Sequence, residues 1–73
     1  MEKKAFYTAT EAVNYANELA IENKGCVSSK LVSIACDDVD SPAEIDSWSG
    51  EIAAYEVMDG EFNVIAKIGY WEA

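Results

Sequence analysis

The chain has no histidine, one proline, two cysteines and only five cationic side chains in 73 residues. Each shortage excludes something. Histidine is the commonest general base near neutral pH, and no serine lies in a nucleophile-elbow context, so acid–base hydrolysis lacks its usual parts. Paired carboxylates are present, but glycosidase-type chemistry needs a cleft that a chain this short has little room to build. Cys26 and Cys36 are too few for a disulfide framework, and their spacing fits no C-x-x-C metal or redox pattern. Both lie in apolar, strand-like context, where a free thiol is expected to pack as a small hydrophobe. No apolar run approaches the ~20 residues of a membrane span. The opening MEKKAFYTATEA has two lysines with no apolar stretch behind them, so no signal peptide is read and a cytoplasmic protein is expected. Gly-rich phosphate loops, basic patches, repeats and linkers are missing too. No enzyme activity and no cofactor are expected.

What remains is an apolar fraction of 51% with eight aromatic residues, enough for a folded domain. Residues 1–73 are read as one domain. A chain this short buries roughly 60% of its unfolded surface, so its stability is expected to be marginal unless packing or self-association helps.

The net charge of −9 is unevenly spread. From Met1 to Lys30 four glutamates balance four lysines, whereas from Leu31 to Ala73 ten acids face only Lys67. Direct nucleic-acid binding is disfavoured, because phosphate contacts need cations. A basic protein surface is the favoured partner.

Local signals lay out the elements. Lys4–Tyr7 reads as a short first strand. Thr8-Ala9-Thr10-Glu11 is a capping box, and a helix should run to about Asn23 with Ala9, Ala12, Val13, Ala16, Leu19 and Ala20 on one apolar stripe. Lys24-Gly25 is the expected stop, with glycine able to take a left-handed conformation. Cys26–Cys36 is the second strand, apolar on both faces, which suggests a central strand or one with a covered outer face. Glu51–Met58 and Glu61–Trp71 are strands joined by Asp59-Gly60, a strong two-residue hairpin signal. That turn would put Val57 opposite Phe62, Tyr55 opposite Val64 and Ala53 opposite Ala66. The same face would continue to Ile68 and Tyr70 under the helix. The opposite face (Ile52, Ala54, Glu56, Met58, Asn63, Ile65, Lys67, Trp71) is half apolar. It is either an exposed patch for binding or self-association, or a surface covered by the preceding loop. The class is α+β: a single small domain of β-α-β-β type, one helix packed on an antiparallel sheet, with an acidic loop between the second and third strands.

That loop is the unusual stretch. Asp37, Asp38, Asp40, Glu44 and Asp46 put five carboxylates into ten residues, and Trp48 follows. Ser41-Pro42-Ala43-Glu44 is a second capping box with proline at its favoured position, so a helical turn is expected from Pro42 to about Ser47. As a calcium loop it fails: with Asp38 and Asp40 at positions 1 and 3, the required glycine is Ala43 and the final glutamate is Ser49. No metal site is expected. Closely spaced carboxylates beside a tryptophan can instead copy the phosphates of a nucleic-acid backbone, where duplex charges recur about every 1.7 Å of axis. Asp37, Asp38, Asp40, Glu44, Asp46 and Trp48 are the candidate partner-binding residues, with Trp48 as an apolar anchor.

Residues 6–26, FYTATEAVNYANELAIENKGC, followed by a strand and an acidic return, resemble small phage-encoded inhibitors, anti-CRISPR proteins among them. The shared build is a short strand, a helix opening T-x-x-E-A and a β-meander. The resemblance implies a stoichiometric blocker of a host defence nuclease complex, acting in the host cytoplasm on a basic, nucleic-acid-contacting surface, and it transfers no site residue. Residues 62–70, FNVIAKIGY, are similar to the final strand of dodecins, oligomeric flavin-storing proteins of β-α-β-β order. In dodecins the second strand carries the flavin-stacking tryptophan. Here that strand has none, and Trp48 lies in the loop. The dodecin resemblance implies an oligomeric small-molecule carrier as the alternative.

Overall fold

The computed structural model describes residues 1–35 and 50–71. The elements run β1 (Glu2–Phe6), α1 (Ala9–Glu22), β2 (Cys26–Ala35), β3 (Glu51–Met58) and β4 (Val64–Tyr70). The α+β class is thus present, with one helix on a four-stranded sheet of order β1-β4-β3-β2.

The helix begins where its cap predicts. The Glu11 N–H donates to the Thr8 hydroxyl at 3.2 Å, and that hydroxyl donates to the Glu11 carboxylate at 3.0 Å. Ala12, Ala16 and Ala20 are buried, so the alanine stripe lets the helix lie close on Val57, Ala66 and Ile68. The helix end differs from expectation. The Gly25 N–H donates to the Ala20 carbonyl and the Lys24 N–H to that of Ile21, the pair of bonds of a Schellman motif. The left-handed residue of this motif is Lys24 (φ 57), not Gly25. Gly25 is needed for space instead, because a Cβ there would lie 1.7 Å from the Met58 carbonyl oxygen.

The sheet departs from an all-antiparallel one. β2–β3 and β3–β4 are antiparallel, but β1 lies parallel beside β4, with Lys4 opposite Ile68. No hairpin ties β1 to a neighbour; the helix carries the chain from one edge of the sheet to the other. β2 is therefore an edge strand rather than a central one, interrupted by an irregularity between Val27 and Leu31. Its second expected option does hold, since Val32 and Ile34 pack on the face away from the helix.

The β3–β4 register is offset from the one a two-residue turn would set. Val57 faces Ala66, Tyr55 faces Ile68 and Ala53 faces Tyr70. Asp59 is the cause. Its carboxylate accepts from the N–H groups of Glu61 (2.8 Å) and Asn63 (3.0 Å), and its carbonyl accepts from the Phe62 N–H. This makes a three-residue loop with Phe62 left-handed at φ 64. Such a conformation costs a non-glycine residue about 1–2 kcal/mol. From Ala53 to Val57 the offset from the expected register is four positions, an even number, so these pairs stay on their expected faces. At Met58, beyond the bulge, the offset is three: Val64, expected on the helix side, pairs with Met58, and Ile65, expected on the opposite face, packs against the helix-side cluster.

Candidate functional site

Asp37, Asp38, Asp40, Glu44, Asp46 and Trp48 lie outside the described residues, as do the expected turn from Pro42 and Cys36. What is described is the platform from which this stretch departs. Ala35 pairs with Glu51, so the two ends of the acidic connection stand on neighbouring strands. Gly50, at φ 87, is exposed, and a Cβ there would meet nothing within 4 Å. The same end of the sheet carries Phe6 and Tyr70, which are partners across β1 and β4, and then Tyr7 and Trp71. The Trp71 N–H donates to the Phe6 carbonyl at 2.9 Å, and its side chain is 45% exposed.

The half-apolar face resolves into two parts. Ile34, Ile52, Ala54 and Ala5 are buried together, with Val32 against them. Gly69 belongs to this cluster because the Ile52 and Ile34 methyl groups occupy the space a side chain would need. An open apolar patch at Ile52 and Ala54 is therefore excluded. Farther along the face, Glu56 faces Lys67, which in turn faces Lys3. Met58 beside them is half-buried, whereas Cys26 is exposed rather than packed as a hydrophobe. Cys26 sits where β2 starts, at the sheet margin, and the apolar context of its neighbours in sequence did not reveal that.

The chain matches no protein-family model, no curated protein and no solved structure. Its chemistry is thus read from its own residues. Residues 62–70, the dodecin-like segment, form a strand only from Val64 onward.

One cluster was not legible in the sequence. The Tyr15 hydroxyl donates to the Glu2 carboxylate, the Phe6 and Tyr15 rings pack at 5.3 Å, and the Lys4 ammonium lies over Tyr15 at 4.8 Å. It forms only because β1 lies beside the helix flank, which no local pattern announces. The Glu2 hydrogen bond, with burial and the charges of Glu2 and Glu22, pushes the Tyr15 phenol up to about 12. The fold therefore favours the protonated phenol. Its stabilising contribution is complete below the ordinary value of 10.0 and is lost as pH rises through about 12. We expect Glu2→Gln to bring the Tyr15 ionisation, followed by tyrosinate absorbance, back toward pH 10.0. An unchanged midpoint would show that the carboxylate does not hold the phenol.

Asp59 is the converse case. The Asn63 and Glu61 N–H groups hold its carboxyl below the usual range, so it stays ionised in the hairpin. Shallow grooves flank the helix: about 130 Å³ among Tyr15, Glu18, Leu19 and Glu22, and about 200 Å³ among Lys24, Gly25, Cys26, Asp59, Gly60 and Phe62. Both are smaller than the roughly 300–1,000 Å³ typical of small-molecule sites. Among the described residues no three His, Cys, Asp or Glu side chains gather to hold a metal. Among them, too, no helix is long and apolar enough to cross a membrane.

Proposed function

We propose that this chain is a non-enzymatic binding protein that occupies a basic, nucleic-acid-contacting surface of a host protein complex and blocks it, in the manner of the small acidic phage inhibitors it resembles. One observation carries the reading: from Leu31 onward ten acids stand against Lys67 alone, and five of them, Asp37, Asp38, Asp40, Glu44 and Asp46, fall in the connection between β2 and β3. The pairing of Ala35 with Glu51 supports it, because both ends of that connection are tethered at one end of a hydrogen-bonded sheet. A concentrated negative surface steers association with a cationic groove and competes with nucleic acid for it.

The test is competitive release. Host proteins are bound to DNA-cellulose, purified chain is added, and the released proteins are identified and titrated. At a fixed low salt concentration at which DNA alone retains it, wild type should release a specific nucleic-acid-binding complex. A variant with Asn or Gln at positions 37, 38, 40, 44 and 46, folded by circular dichroism, should need at least about tenfold more protein. Release that is equal for both proteins would remove the acidic connection as the site.

A further inference from the structure

The β3–β4 hairpin tip contains a residue that neither the backbone nor the core explains. Phe62 sits at φ 64, where glycine is the default, and its side chain is 76% exposed. Bulky residues rarely take this conformation, and one held there outside any core invites a functional account. The tip is braced. Asp59 accepts from Glu61 and Asn63, and the Gly60 N–H donates to the Asn23 carbonyl at the helix end. The ring is thus presented from a fixed turn, with little ordering left to lose on binding. Asp59 and Glu61 precede it in the loop, and Lys24 lines the same groove as Phe62.

We propose that Phe62 is a second contact with the same cationic partner, an aromatic knob that enters an apolar pocket with a basic rim. The proposal rests on the binding function above. Geometry permits one partner to meet both points. β3 has eight residues, about 26 Å at ~3.3 Å each, and an ordinary interface of about 800 Å² per side is roughly 30 Å across. Charge selects the occupant: a second copy would bring another net charge of −9 to an acidic tip, whereas a basic rim complements it. Aromatic side chains seated in a partner's pocket are frequent hot spots.

The test uses the DNA-cellulose release titration with wild type, Phe62→Gly and Phe62→Asn, the last two being compatible with a left-handed backbone. Both variants should melt at or above the wild-type temperature, yet need about thirtyfold more protein for half release. A variant that releases the complex as well as wild type overturns the Phe62 contact and leaves the acidic connection standing. A wild type that releases nothing overturns both, and the two failures are thereby told apart. A variant with both a lower melting temperature and weaker release overturns the proposal as well, since the ring would then be structural.

Discussion

Gly25→Ala is expected to remove a large part of the stability of this protein. The Cβ it adds would lie 1.7 Å from the Met58 oxygen, 2.6 Å from the Met58 carbonyl carbon and 2.7 Å from that of Asp59. All three atoms are backbone, so no side chain can swing aside. The strands would have to part where β2 begins, next to the Schellman bonds that close the helix. A loss of about 4 kcal/mol is expected, at the upper end of what single substitutions cost. A domain of this length has roughly 4–11 kcal/mol in total, so the loss takes from about a third to all of it and the urea midpoint should fall sharply. Gly50→Ala makes the comparison. Gly50 is left-handed but has open space around it, so only the conformational cost of about 1 kcal/mol applies. Urea midpoints of the two variants should differ widely. Equal midpoints would mean that β2 does not approach Met58 so closely.

Ile68→Ala should cost about 3–4 kcal/mol. Ile68 and Val57 are the largest fully buried side chains among the described residues. The helix meets them with Ala12, Ala16 and Ala20, so the sheet supplies the bulk of this core. Alanines have no rotamers with which to fill a void. The truncation therefore leaves a cavity unless the helix settles inward, and it should fall in the upper part of the 2–5 kcal/mol range for such changes. Leu19→Ala, on a half-buried side chain at the margin of the same cluster, should cost less than half as much. Denaturant unfolding with an unchanged slope would confirm that stability rather than compactness has changed. A loss below about 1 kcal/mol for Ile68→Ala would show that the helix can close the gap.

The sequence by itself determined what depends on near neighbours. The Thr8 cap and the alanine stripe set the helix at Ala9–Glu22, and β3 has its expected limits, Glu51–Met58. Alternation assigned Tyr55, Val57, Ala66 and Ile68 to the helix side, and the charge partition that carries the proposed function is a property of composition alone. Tertiary structure decided everything that joins distant segments. The Asp59 loop and the bulge between Val57 and Met58 together move the register by four positions over Ala53–Val57, which a period of two cannot detect. β1 lies parallel to β4 because the helix returns the chain to the opposite edge, and that placement assembles Glu2, Lys4, Phe6 and Tyr15. Gly25, read as a turn residue, is glycine because a strand passes over it. Phe62, read as a strand residue facing Val57, stands exposed at a braced tip. In each case the deciding partner lies outside the residue's own helix or strand, where neither helical spacing nor strand alternation carries information.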